Sequence, residues 1–264
     1  MRPRAADPLL AAALALAVWQ CVVVLSGAPP FILPGPGEVA RALWQNRELL
    51  VENAAFSAAN LAQGLALGLV LGFETALLLA LCPIARRLVR PALVFAQAVQ
   101  VFALAPVVTL WLGYGAPSKI AMVALTTYFP IASAFFDGLM RLPQELDDLA
   151  RHARATRWRK LAHLQVPNAM PGFFSGLRLA VVYAPLAVII GEWVGASKGL
   201  GHLMLIANGR GQTDLMFASL IVLAVFSLGL LAIVDRVART RFHPASGYRG
   251  YGTRQSGDRG RGGI

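Results

Sequence analysis

Six long apolar runs, separated by short segments in which arginine gathers, leave this chain few ways to fold. The runs cover approximately residues 9–25, 58–81, 91–112, 120–139, 173–193 and 215–234. Each approaches or exceeds the roughly 20 residues that a helix needs to cross about 30 Å of hydrocarbon. Helices are required because isolated strands in lipid would leave backbone groups unpaired. Only 14% of the residues are charged, well short of the ~25% usual in soluble domains. The expected fold is therefore all-α, a polytopic bundle of about six transmembrane helices. The third run is interrupted by Gln97 and Gln100, whose side chains must face protein or water if that segment spans.

The net charge of +11 raises the question of nucleic acid, but its placement answers otherwise. With the N-terminus inside, the inner side receives Arg86, Arg87 and Arg90, the dense group between Arg141 and Lys160, and the segment from Arg236 onward. The outer side receives Arg41, Arg47, Lys198 and Arg210, partly offset by Glu38, Glu48, Glu52 and Asp214. This asymmetry follows the positive-inside rule. Trp19, Trp111 and Trp193 fall toward outer ends, as interfacial anchors do. The expected setting is thus a multi-pass bacterial inner (plasma) membrane protein with both termini cytoplasmic, in contact with lipid, and with no specific nucleic-acid partner. Arg2 and Arg4 before the first run resemble a secretory signal, yet Pro29 would follow a cut at 26–28. The run is read as a retained helix.

Three parts follow: residues 1–57 (first helix and external segment, with a short amphipathic helix at 39–50), 58–240 (core), and 241–264 (a glycine- and arginine-rich cytoplasmic tail without apolar period, read as disordered). Gly64, Gly68 and Gly72 recur every four residues on one face of the second run, a spacing that lets another helix approach closely. Pro106, Pro130 and Pro185 are expected to bend their helices. Together with Gln97, Gln100, Tyr128, Tyr183 and Glu192 they mark a modestly polar translocation path, suited to a small solute that stacks and hydrogen-bonds. Glu74 and Glu192 lie within or at the end of spans, where an ion-coupled transporter would hold proton-linked carboxylates. No inverted repeat supports that alternative. The histidines His152, His163, His202 and His243 form no ligand or catalytic pattern, so a membrane enzyme is disfavoured.

The inner segment 141–170 differs in kind. Pro143 and Glu145 precede Leu146, Leu149 and Ala150, and then come Arg151, Arg154, Arg157, Trp158, Arg159 and Lys160. The pattern predicts short amphipathic helices at the membrane face, placed to dock on a cytoplasmic partner.

This segment resembles the cytoplasmic coupling loop of bacterial ABC importer permeases: Glu-Ala-Ala, three residues, Gly, nine residues, then Ile-x-Leu-Pro. Asp148-Leu149-Ala150 matches the opening, and Leu164-Gln165-Val166-Pro167 matches the close. Arg154 occupies the glycine position. The resemblance runs from about Phe31 to Arg239 and points to the sulfonate, taurine, nitrate and thiamine-precursor branch. Phe102–Pro106 with Trp111–Gly115 and Ser118–Ile120, Gly191–Ala196 with Gly199–Gly201, and Gln212–Ala218 carry it, the last being most like permeases for hydroxymethylpyrimidine or related thiamine precursors.

The resemblance implies a permease subunit that is not an enzyme. It would work with cytoplasmic ABC ATPase subunits, a periplasmic or lipid-anchored solute-binding protein and a second copy of itself. The chain has no Gly-x-x-x-x-Gly-Lys-Ser/Thr loop to cradle phosphates. It is therefore expected to bind no cofactor, with ATP and Mg on the partner ATPase. Taurine, alkanesulfonates or nitrate are the alternative solutes. Glycine there would allow a tight left-handed turn, in which arginine carries a strain of roughly 1–2 kcal/mol; the departure implies a turn of another geometry, a pairing of Arg154 with an acidic ATPase surface, or a weakened coupling interface.

Overall fold

The computed structural model describes residues 7–98 and 100–241, all helical or in short connections. Eleven α-helices follow in order: α1 Asp7–Ser26, α2 Pro36–Gln45, α3 Arg47–Leu81, α4 Pro83–Ala98, α5 Ala105–Leu112, α6 Ala116–Met140, α7 Gln144–His152, α8 Arg157–Lys160, α9 Val166–Gly195, α10 Leu200–Gly209 and α11 Thr213–Arg241. A 3₁₀ turn, Val101–Leu104, links α4 to α5, and a π-helical stretch, Leu161–Gln165, fuses α8 to α9. The expected tail, residues 242–264, lies outside the described residues.

Four helices are long and apolar enough to cross a membrane: Arg47–Leu81, Ala116–Met140, Arg157–Gly195 and Thr213–Thr240. Of the about six spans expected, these four are found as single long apolar helices among the described residues. The first run forms the 20-residue helix α1. The third run is not one helix: it breaks at the 3₁₀ turn just before Pro106. Proline lacks the amide that would continue the α4 ladder, whereas the first turn of a new helix leaves that amide unused. The break separates α4, which follows directly on the end of α3, from α5, which packs against the start of α6 and the end of α9.

α6 is the central helix, packed between α3 and α9. The glycine ladder of α3 is what lets it approach. A Cβ at Gly64 would stand 2.5 Å from Val123 Cβ, one at Gly68 2.9 Å from the Ala124 carbonyl, and one at Gly72 3.0 Å from Ile131 Cγ2. The contacts advance in step, so α3 and α6 run parallel. α9 returns antiparallel: Gly138 lies against Ala169, and Gly176 against the Pro130 carbonyl. At the inner end Phe73, Phe135 and Phe173 form one aromatic cluster, with Phe73 stacked on Phe135 at 4.8 Å. A second core at the outer end joins α2, α10 and α11 through Val39, Ala42, Leu203, Ala207 and Leu215.

Two boundaries depart from the hydropathy pattern. α3 begins at Arg47, eleven residues before the apolar run, because Asn53, Ser57 and Asn60 on this first stretch are buried against protein. The amphipathic helix expected at 39–50 is accordingly shorter, ending at Gln45 with Asn46 as the joint. α10 was not foreseen; it is a short helix folded against the outer ends of α3, α9 and α11.

Candidate functional site

The inner segment folds as a helix, a turn and a helix. Pro143 starts α7, with Glu145 and Asp147 in its first turn and Arg151 and His152 in its last, charges that oppose the helix dipole at both ends. The helix stops by a Schellman motif: the Ala155 amide donates to the Ala150 carbonyl at 2.9 Å and the Arg154 amide to the Arg151 carbonyl at 3.0 Å. That closure requires a left-handed residue, and Arg154 supplies it with φ 47°; no other non-glycine among the described residues has positive φ. The turn therefore has the geometry of a glycine turn, borne by an arginine whose side chain is exposed. Thr156 then caps α8, its Oγ1 accepting from the Arg159 amide at 3.3 Å.

The two short helices are locked to each other by Asp147. Its carboxylate pairs with Arg151 at 2.8 Å and also with Lys160 across the turn. The Lys160 hydrogen bond first, with the charges of Lys160 and Arg151, holds the Asp147 carboxyl below its ordinary range against an opposing desolvation. The loop is tied to the bundle by Gln165 Nε2 donating to the Leu139 carbonyl (3.1 Å) and Asn168 Nδ2 to the Arg141 carbonyl (3.1 Å). Of the residues expected to serve coupling, Ala150 is buried and Leu164 and Val166 are half-buried, forming the loop's inner seam. Glu145, Asp148, Leu149, Arg157, Trp158 and Pro167 are exposed. Leu149 is 58% and Trp158 62% exposed, which leaves two large apolar side chains uncovered on a charged surface.

At the other end of α9 the chain buries a charged cluster. Glu192 is fully buried; its Oε1 accepts from Ser57 Oγ at 2.7 Å and its Oε2 from the Gly201 amide at 2.8 Å. Ser57 Oγ also accepts from the Leu200 amide, and Asn53 Oδ1 from the Gly199 amide, both at 2.8 Å. Thus three side chains satisfy the free amides at the start of α10, placing a carboxylate at the positive end of a helix. Gly199 has φ 117°, and a Cβ there would strike the Glu192 carboxylate, so only glycine lets the chain pass. Lys119, also buried, lies within electrostatic reach of Glu192 and donates to the carbonyls of Tyr114 (2.8 Å) and Gly195 and to Ser118 Oγ. Five segments meet at this one pair of charges.

The residues expected along a translocation path are not assembled into one lining. Tyr128 hydrogen-bonds Thr75 Oγ1 at 3.3 Å and borders an apolar cavity of about 400 Å³ with Leu71, Trp111 and Leu125. Tyr183 is exposed on the uncovered face of α9, without ring contact to Tyr128. Gln100 is exposed at the break before the 3₁₀ turn, and the Gln97 side chain lies outside the described residues. Glu192 is enclosed by its own chain. Glu74 stands on the uncovered side of α3. Reading the sequence missed Ser57 and Asn53, and it marked Lys119 without its link to Glu192; the signal was there in polar residues flanking apolar runs, but their partners are distant in the chain.

The fold and this inner loop define a membrane-embedded transport subunit. Residues 64–241 match the model of the binding-protein-dependent transport system inner membrane component, and the chain belongs to that family. It is 43% identical over 235 residues to a probable ABC transporter permease protein of Haemophilus influenzae, covering 89% of this chain and 96% of that one. It is 35% identical to the riboflavin transport system permease protein of Chloroflexus aurantiacus (86% and 85% covered). Identity is 34% to the formylaminopyrimidine transport permease protein of Halalkalibacterium halodurans (87% and 92% covered). The fold is that of a chain in the inward-facing MetNI methionine ABC transporter, with TM-score 0.67, 20% identity, and 75% and 99% covered. The chain is thus an ABC-importer permease subunit that moves a small solute by alternating access. It is not itself catalytic; ATP hydrolysis resides in a separate partner.

Proposed function

We propose that this permease works as a pair of identical chains with two cytoplasmic ATPase subunits and a periplasmic or lipid-anchored binding protein, and that its solute is a hydroxymethylpyrimidine or related thiamine precursor. Both termini lie in the cytoplasm in this reading. One observation carries the coupling role: the 141–170 segment presents Leu149 and Trp158 uncovered on a rigid helix–turn–helix that is fused directly into a membrane-crossing helix. Exposed apolar side chains on an otherwise charged surface mark a docking face. The ATPase seats there, and Glu145, Asp148, Arg154 and Arg157 form the polar rim. Nucleotide-driven closure moves the loop, and α9 carries that motion into the bundle, biasing two discrete states.

The solute reading rests on Gln212–Ala218 and on relatives named for formylaminopyrimidine and riboflavin, both flat nitrogen heterocycles. Tyr128, Tyr183 and Gln100 supply stacking faces and a hydrogen-bonding amide for such a ring. Glu192 serves this path indirectly, by fixing the outer ends of its walls. The test has two parts. Co-expression with the ATPase subunit should give a complex whose hydrolysis is stimulated by loaded binding protein; failure to associate overturns the coupling role. Titration of the binding protein should show tight binding of hydroxymethylpyrimidine and weak binding of taurine, alkanesulfonates and nitrate. The reverse order overturns the solute assignment alone.

A further inference from the structure

Arginine within a membrane-crossing helix is expensive unless it reaches water, a headgroup or a counter-charge. Arg178 on α9 is such a residue, and it opens on a cavity of about 320 Å³ between α9 and α11, bordered by Phe174, Val234, Asp235 and Arg239. Its Nε pairs with Asp235 at 3.3 Å. Its two terminal nitrogens have no hydrogen bond, and Arg239 no ion pair, among the described residues. Two cations, of which only Arg178 is paired, thus border one cavity with one carboxylate, leaving an excess positive charge over a partly apolar floor.

The depth of this cavity is set by α9. Arg178 lies fifteen residues before Trp193, about 22 Å along the helix axis. Its side chain leans further toward the helix N-terminus, which is the inner side. With Trp193 at the outer interface, the guanidinium reaches the inner edge of a hydrocarbon core about 30 Å thick. One turn along α9 from Arg178 and two along α11 from Asp235, on the same faces of their helices, Val182 (53% exposed) and Leu228 (65% exposed) leave bare hydrocarbon beside the cavity. α11 is also the most apolar of the long helices, with mean hydropathy 2.8, and the least covered by its neighbours. The groove thus offers a cationic pocket at headgroup depth and an apolar track toward the bilayer centre.

We infer that this groove is a binding site for an anionic phospholipid of the inner leaflet. Its phosphate sits between Arg178 and Arg239, and one acyl chain lies over Val182 and Leu228. Asp235 orients Arg178 and, as a negative charge in the pocket, weakens the hold on the phosphate.

The test uses the full-length chain reconstituted in vesicles of phosphatidylcholine with phosphatidylglycerol, then extracted for native mass spectrometry of retained lipid. Arg178→Gln and Arg239→Gln should each lower retained phosphatidylglycerol by about fivefold, the worth of one basic residue at an anionic surface. Arg178→Lys should keep most of it, and Asp235→Asn should raise it. Arg210→Gln, at the outer side, should change nothing. Melting in phosphatidylcholine alone checks that each variant is folded; if Arg178→Gln fails that check, the Arg239→Gln and Asp235→Asn pair decides by their opposite signs. Unchanged retention in the arginine variants, or equal retention of phosphatidylcholine, overturns the inference. So does inorganic phosphate raising the melting temperature in phosphatidylcholine as much as phosphatidylglycerol does, which would make this a site for free phosphate. Inter-chain disulfide formation by Ser175→Cys in the assembled importer would assign the groove to a second copy and overturn it as well.

Discussion

Arg154 occupies a backbone position that only glycine adopts freely, and replacing it isolates the energetics of the coupling turn. A left-handed non-glycine residue carries about 1–2 kcal/mol of strain. Glycine removes that strain but gains about 0.4–1 kcal/mol of freedom in the open turn. The net gain for Arg154→Gly is then about 0.5–1 kcal/mol, or roughly a twofold to fivefold shift in the closing equilibrium of the turn. The reporters are the two amides that close the Schellman motif, those of Arg154 and Ala155. Hydrogen exchange on the permease–ATPase complex in a bilayer should show the Ala155 amide slowed by that factor in Arg154→Gly. It should be little changed in Arg154→Lys, slowed slightly in Arg154→Asn, and accelerated in Arg154→Val, since β-branched residues tolerate positive φ least. Transport driven by ATP should be retained or improved in Arg154→Gly. The reasoning is refuted if exchange at Ala155 is the same in the glycine and valine variants. Loss of transport in Arg154→Gly at normal expression would refute the claim that the turn's shape, rather than the arginine's charge, serves coupling.

Three further outcomes follow from other parts of the fold. Glu192→Ala should lower stability by about 3–5 kcal/mol by leaving Lys119 buried without its counter-charge. Adding Lys119→Met should cost less than the two single effects summed, as measured by denaturation in detergent micelles. Gly64→Ala should lower the melting temperature more than Gly72→Ala, because the added methyl meets Val123 Cβ at 2.5 Å in one case and Ile131 Cγ2 at 3.0 Å in the other; overpacking of this kind typically costs about 1–3 kcal/mol. Asp147 is held below the usual carboxyl range by Lys160, so its contribution is complete above its unfolded pKa of about 3.9 and is lost as pH falls through the lower folded value. Exchange protection of α7, corrected for intrinsic rate, should be flat from neutral pH down to about 5 and drop only below about 4. Asp147→Asn should abolish that acid transition.

The parts of the structure legible in the sequence are those governed by local pattern. Apolar runs located α6, α9 and α11, and the charge pattern of 141–170 located α7 and α8 with their exposed Trp158 and Leu149. The four-residue glycine repeat predicted close packing, although not that α6 would be the partner. What escaped depends on distant partners. Asn53 and Ser57 fall in the external segment before the second run, and nothing nearby reveals that they cap α10, almost 150 residues later. Pro106 was read as a bend within one span; its actual effect is to start a new helix. Arg154 left the turn's shape open, since its side chain argues against the conformation that the hydrogen bonds of its neighbours impose.

The fusion of α8, the π-helical stretch and α9 makes one element of 39 residues from Arg157 to Gly195. Gly176, where α9 touches the Pro130 carbonyl of α6, lies nineteen residues from either end. Each arm is then about 28 Å long. In the proposed coupling role, a displacement received at Trp158 travels along this one continuous element to Glu192 near its far end. The docking loop and the buried Glu192 cluster are thereby two ends of a single rod, with no loop between them to absorb a push.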